Sequence, residues 1–156
     1  MQRVKPVSMP IKGQITVAPD KSISHRAVIF SALAHGEGTV ENFLRAADTL
    51  STCNCIRQLG INIVERDGML IIQGRGLNGL VEPGGVLDCG NSGTTIRLLA
   101  GLLAGQPFFS VLSGDSSLNK RPMRRVIEPL GMMGAEIKAR SNGSYPPLAI
   151  IGRRRL

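Results

Sequence analysis

The stretch Asp20-Lys21-Ser22-Ile23-Ser24-His25-Arg26 decides how this chain is read. It follows a short alternating run, Ile15-Thr16-Val17-Ala18, which reads as a strand ending at Pro19. It precedes Ala27-Val28-Ile29-Phe30-Ser31-Ala32-Leu33-Ala34, a helix-like run stopped by His35-Gly36. Lys21 and Ser22 are thereby expected on a strand-to-helix turn, with Arg26 one helical turn later. A helix start exposes unpaired backbone N–H groups and a partial positive charge. Lysine, serine and arginine added there make an anion site. Taken alone, the stretch fits Ser22 as a plain N-cap between solvated basic residues equally well.

A second copy favours the anion site. Gly90-Asn91-Ser92-Gly93-Thr94-Thr95-Ile96-Arg97 also precedes an apolar helix-like run, Leu98 to Ala104, and follows Val86-Leu87. Ser22 and Arg26 find counterparts in Ser92 or Thr94 and in Arg97. Downstream, Ile56 to Ile63 resembles Ile127 to Ile137, and Leu70 to Gly74 resembles Leu148 to Gly152. The offset drifts from 71 (Arg26 to Arg97) to 78 (Gly74 to Gly152), as loop insertions would make it. This is a long internal repeat.

Each repeat reads as strand, helix, strand, helix, then two strands. The expected spans are 14–18, 24–35, 38–43, 48–59, 61–66 and 69–73, then 85–88, 93–104, 108–112, 122–133, 135–139 and 147–151. Asp48 or Thr49 is the expected cap of the second helix, and Pro122 the expected first residue of the fourth. Asp67-Gly68 reads as a hairpin turn, and Asn142-Gly143 as a longer one. Residues 76–85, with four glycines and a proline, read as a linker. The fold class is α/β (α+β), built of repeated units at 13–76 and 84–152.

The 156 residues allow one domain with a core, and that core must be aliphatic, since there are four Phe, one Tyr and no Trp. A net charge of +8 points to anionic partners. Scarce aromatics and no basic run longer than Arg153-Arg154-Arg155, read as a solvated end, favour small anionic metabolites over nucleic acid. Cys53, Cys55 and Cys89 are too few for a disulfide scaffold and wrongly spaced for a metal, and read as core thiols, with a functional thiol weighed for Cys89 alone. His35 suits a helix end; His25 reads as structural or orienting, no paired carboxylate being visible nearby. No apolar run approaches the ~20 residues of a membrane span and no signal peptide is apparent, so a cytoplasmic protein is expected.

The stretches Asp20 to Arg26 and Gly90 to Arg97, together with Lys120-Arg121-Pro122-Met123 and the loop Ser141 to Leu148, resemble the 5-enolpyruvylshikimate-3-phosphate synthase family over essentially the whole chain. The resemblance implies two similar globules, each of three such units, in a protein more than twice this length. It implies that residues 1–12 belong to the second globule and 13–156 to an incomplete first one. The implied reaction adds the 5-hydroxyl of shikimate 3-phosphate to C2 of phosphoenolpyruvate, after C3 is protonated, and then expels phosphate. No metal or organic cofactor is implied.

By motif, Lys21 lies between the two substrates and is the catalytic residue. Ser22 and Arg26 hold shikimate 3-phosphate, with Arg26 on its carboxylate. Gly93 and Arg121 hold phosphoenolpyruvate, Asn91 and Thr94 shape the turn, and Arg97 braces it. Proton-handling groups would lie beyond Leu156, so these residues alone are expected to be inactive. The implied full-length enzyme is a monomer whose partners are its two substrates and its own remaining part, with no nucleic acid and no membrane. Leu98 stands where many members have proline, and Gly93 is kept where some glyphosate-tolerant members carry alanine, which leaves inhibitor sensitivity open. The rival family is UDP-N-acetylglucosamine enolpyruvyl transferase, whose lysine motif continues with asparagine where Ser22 stands here. A non-catalytic anion or RNA-end binding module is the rival from another class.

Overall fold

The computed structural model describes residues 9, 10 and 12–153. The elements in order are α1 (Lys21–Leu33), β1 (His35–Val40), α2 (Ala47–Gln58), β2 (Asn62–Arg66), β3 (Met69–Arg75), β4 (Leu87–Asp88), α3 (Gly93–Ala104), β5 (Phe109–Ser113), α4 (Arg124–Met132), β6 (Glu136–Ala139) and β7 (Tyr145–Ile151). One sheet has the order β1-β3-β2 and the other β4-β5-β7-β6. Within them, β1-β3-β2 and β5-β7-β6 are both antiparallel and equivalent in order, so the internal repeat of the sequence is a repeat of structure.

The helices start in the same way. Asp20 caps α1 by accepting from the Ile23 N–H at 2.7 Å, and Ser92 caps α3 by accepting from the Thr95 N–H at 3.1 Å. Their inner faces then join one aliphatic core. Val28 and Ala32 of α1, Ile56 of α2, Ile72 of β3, Ile96, Leu99 and Leu103 of α3, and Leu148 and Ile150 of β7 are all fully buried in it. A buried Leu or Ile stabilises by roughly 1.5–3 kcal/mol, so aliphatics supply most of this core, with Phe43 buried among them.

The repeats also close alike. Gly76 donates to the Ala34 carbonyl at 2.8 Å, and Arg153 to the Ala104 carbonyl at 2.9 Å. Just before these bonds sit Gly74 and Gly152. A Cβ at Gly74 would collide with the carbonyl oxygens of Ser31 and Ala34, and one at Gly152 with those of Leu103 and Gln106. Glycine is required here for close approach of a strand end to a helix tail.

Several expectations are corrected. Residues 14–18 form no strand: Ile15 is 83% and Val17 66% exposed, and alternation without a pairing partner does not make a strand. α1 begins at Lys21, because Asp20 rather than Ser22 is its cap. His35 opens β1, which pairs with β3 from His35↔Arg75 onward, so the strand runs 35–40 and not 38–43. The cap of α2 is Ala46, with Thr49 Oγ1 reaching back to accept from its N–H at 3.1 Å. α4 starts two residues after Pro122, with Met123 as its cap and the Met123 N–H donating to the Ser144 carbonyl at 2.8 Å.

Asp67-Gly68 does turn the β2–β3 hairpin, with φ of 51° and 77° that suit such a turn. Residues 76–86 carry no helix or strand, yet they are packed down by Leu80, 6% exposed, and by a bond from the Val81 N–H to the Leu59 carbonyl. The expected segment 1–12 falls outside the described residues except at 9, 10 and 12, as do Arg154 and Arg155.

Candidate active site

Counted from their caps, α1 and α3 present matching positions: Lys21 with Gly93, Ser22 with Thr94, and Arg26 with Leu98. Arg26 therefore corresponds to Leu98, correcting the match to Arg97. The two N-termini are tied together by buried polar groups. His25 Nδ1 meets Thr52 Oγ1 at 2.7 Å. Thr52 Oγ1 meets Thr95 Oγ1 at 2.7 Å, and Thr95 Oγ1 donates to Ser92 Oγ at 2.7 Å or to the Asp48 carbonyl at 3.2 Å. His25, Thr52, Ser92 and Thr95 are all buried. The chain thus runs from α1 through α2 to the cap of α3.

Lys21 Nζ is ion-paired with Asp48, whose backbone carbonyl belongs to that same chain. The lysine side chain is 48% exposed. Such a pair contributes only about 0–1 kcal/mol, so it tethers the ammonium near the α3 turn and leaves it free to turn to an anion. Asn91 and Arg121 complete the turn: Arg121 Nη2 donates to Asn91 Oδ1, and Asn91 Nδ2 donates to Asp115 Oδ2 at 2.7 Å. A Cβ on Gly93 would sit 2.5 Å from Arg97 Nη1 and 3.2 Å from Arg121 Nη1. Arg97 Nη1 donates to the Gly93 carbonyl at 3.0 Å, the bracing contact expected of it.

Lys21, Asn91, Gly93 and Arg121 are thus joined through a few direct contacts. Ser22 is exposed at the start of α1, and Thr94 half-buried at the start of α3. Arg26 stands apart from them. It is exposed and lines an apolar recess of about 350 Å³ with Phe30, Leu33, Leu98 and Leu102.

Burial lowers the His25 pKa; the Asp48 carboxylate opposes this and the Lys21 ammonium adds to it. The imidazole is therefore held neutral, in a structural role. The Asp115 carboxyl is held below the usual range, chiefly by the Leu118 N–H and then by Asn91. Burial pushes the Cys53 thiol up to about 11. The Cys89 thiol is pushed up too, by the neighbouring Cys55 thiol and then by burial, so Cys89 is no reactive thiol. Among the described residues, no three His, Cys, Asp or Glu side chains are grouped to hold a metal.

Two contributors were missed from sequence. Asp48 was considered only as a cap. Asp115 could have been found, since Asp115-Ser116-Ser117-Leu118 is a capping pattern and Asp115 Oδ1 accepts from the Leu118 N–H at 2.7 Å.

Comparison with known proteins gives the family and the fold. The family model described as EPSP synthase (3-phosphoshikimate 1-carboxyvinyltransferase) matches residues 6–156. A 3-phosphoshikimate 1-carboxyvinyltransferase of Syntrophomonas wolfei is 62% identical over 99% of this chain and 36% of its own length. One from Herpetosiphon aurantiacus is 56% identical over 91% of this chain and 33% of its own. The solved EPSP synthase of Acinetobacter baumannii superposes with a TM-score of 0.85 at 45% identity, over 90% of this chain and 32% of that one. The chain spans about a third of the length of the curated relatives it matches.

Proposed function

Because the chain belongs to the EPSP synthase (3-phosphoshikimate 1-carboxyvinyltransferase) family, we propose that it supplies one wall of a site that transfers the enolpyruvyl group of phosphoenolpyruvate to shikimate 3-phosphate. The observation that carries this reading is the joining of two helix N-termini through Thr52 and Thr95, with Lys21 held by Asp48 and Arg121 by Asn91. Two anions about to react need converging positive charge, and two helix starts plus two cations supply it.

In this reading Lys21 leaves Asp48 to lie between the substrates, offsetting charge that grows on the bridging oxygens. The Gly93 N–H and Arg121 hold the phosphate of phosphoenolpyruvate. Ser22 holds shikimate 3-phosphate, with Arg26 binding its carboxylate as a two-pronged fork. Asn91 fixes the direction of the Arg121 guanidinium, and Thr94 fills the turn. The proton given to C3 and the one taken from the 5-hydroxyl are assigned to the part of the relatives' length that this chain does not match. Turnover is accordingly expected where that part is present. A cytoplasmic enzyme, monomeric at full length, is part of the same reading. The three cysteines, all free thiols, suit a reducing compartment, and no helix among the described residues is long and apolar enough to cross a membrane.

Calorimetry on the 156-residue chain tests the reading. Shikimate 3-phosphate should bind saturably, and UDP-N-acetylglucosamine and a short RNA should not. Arg26→Ala should weaken shikimate 3-phosphate, and Arg121→Ala phosphoenolpyruvate, each by about tenfold or more, the worth of one charge-assisted bond. Equal weakening of both ligands by both changes would refute the division of roles.

A further inference from the structure

Thr52 Oγ1 lies 2.7 Å from both His25 Nδ1 and Thr95 Oγ1. A hydroxyl has one proton to give, so Thr52 donates to only one of these neighbours. His25 decides which. Its imidazole is neutral, so only one ring nitrogen carries a proton. Nε2 is buried and has no partner. A proton there would be a donor with nothing to receive it. It would also leave Nδ1 as an acceptor and draw the Thr52 proton towards it. Thr95 would then give its own proton to Thr52, and the Asp48 carbonyl, which can only accept, would lose it. With the proton on Nδ1 every donor is placed. His25 donates to Thr52, Thr52 to Thr95, and Thr95 to Ser92 Oγ or the Asp48 carbonyl.

We infer that His25 is held as the Nδ1–H tautomer, and that His25 and Thr52 are positioning residues for the α3 turn. Together they set the direction in which the hydrogen bonds run from α1 to the Asp48 carbonyl and the Ser92 cap. Both are fully buried, so neither touches a ligand. They act through what the far end of the chain holds. Asp48 carries the carboxylate that tethers Lys21, and Ser92 Oγ caps α3 one residue before Gly93. Bonds that all run one way polarise one another in the same sense, and a chain of fixed polarity resists reversal. The position of Lys21 relative to the Gly93 N–H is thereby controlled by a hydroxyl on a third helix. The consequence for ligands rests on the function proposed above; the tautomer and the direction do not.

The test uses the 156-residue chain labelled with nitrogen-15, at about pH 7.5, above the ordinary histidine value. Long-range proton–nitrogen correlations across the ring distinguish the two neutral tautomers. The Nδ1–H pattern is expected for His25, and an Nε2–H pattern or an even mixture would overturn the tautomer and the direction. Thr52→Val keeps the side-chain shape and removes the hydroxyl. The Thr95 N–H, which donates to Ser92 Oγ at 3.1 Å, should then exchange with solvent about tenfold faster relative to the Ile72 N–H of β3, the central strand of its sheet. A merely structural loss would speed both alike. Thr52→Ser returns the hydroxyl and should bring the ratio back to within about twofold of the parent. An unchanged ratio in Thr52→Val, or a Thr52→Ser chain that behaves like it, would remove the positioning role. The tautomer is read on the parent protein, so it decides even where Thr52→Val does not fold. Calorimetry with shikimate 3-phosphate and phosphoenolpyruvate completes the test. Affinity should fall about tenfold in Thr52→Val and stay within about twofold in Thr52→Ser. Affinity unchanged in Thr52→Val would overturn the control of Lys21 and Gly93. A parent chain that binds neither ligand, yet shows the expected tautomer and exchange ratio, would refute the proposed function and leave the directed chain standing.

Discussion

Replacing Thr95 by valine tests the polar chain that joins the two helix starts. Valine keeps the shape of threonine and deletes one hydroxyl. That hydroxyl touches Thr52 Oγ1 and Ser92 Oγ, both at 2.7 Å, and the Asp48 carbonyl at 3.2 Å. Thr52 would keep His25, and Ser92 would keep the residue-95 N–H, so neither is wholly stranded. Each loses one partner in a buried setting, where an unmet polar group costs about 1–3 kcal/mol. A net loss of about 2 kcal/mol follows, or about 4–8 °C in Tm for a chain of this size. Urea unfolding followed by circular dichroism measures it, with an unchanged m-value showing that the folded state is the same. Thr94→Val, one position along on a half-buried residue, is the control and should stay within about 0.5 kcal/mol. A Thr95→Val protein as stable as the parent would mean that the hydroxyl chain contributes nothing, and the reasoning would fail.

Two further outcomes follow from the same site. His25 has a lowered pKa in the folded state, so the unfolded chain takes up its proton first as pH falls. The stability it contributes is present above the ordinary histidine value of about 6.5 and is lost as pH falls through and below it. Urea midpoints should therefore drop between pH 7.5 and 5.5, and His25→Gln should flatten that drop. Gly93→Ala puts a methyl 2.5 Å from Arg97 Nη1, the mobile end of a long side chain. Stability should change by less than about 1 kcal/mol, because the guanidinium can move and alanine favours a helix. Phosphoenolpyruvate affinity in calorimetry should fall at least severalfold, and an unchanged affinity would show that Gly93 is not in contact.

The repeat made most of the fold legible. Two hydroxyl-bearing turns before apolar runs gave α1 and α3 to within a few residues, and Asp67-Gly68 gave the hairpin. Residues 14–18 misled because alternation records which faces differ, not whether a neighbouring strand exists to pair with. The caps of α1 and α2 were misplaced by two or three residues because Ser, Thr and Asp crowd those starts, and only geometry decides which oxygen reaches the free N–H. The site was legible as residue types at turns. Its connections were not: Thr52 and Asp48 lie on α2, and nothing local in their sequence says that α2 passes between the two helix starts.

The glycine contacts at Gly74 and Gly152 turn α1 and α3 into measuring rods. Each helix is pinned at its tail, where a strand end rests on the carbonyls of its last turn. The 13 residues of α1 and 12 of α3 then set how far the opposite end reaches, about 20 and 18 Å at 1.5 Å per residue. The height of Lys21 relative to Gly93 is thereby a count of residues, fixed far from any ligand. Inserting one residue in α1 would lift Lys21 by about 1.5 Å and swing it about 100° around the axis, away from Asp48. Sequence drift between the repeats is free to collect in the loops, and the length of these two helices is not.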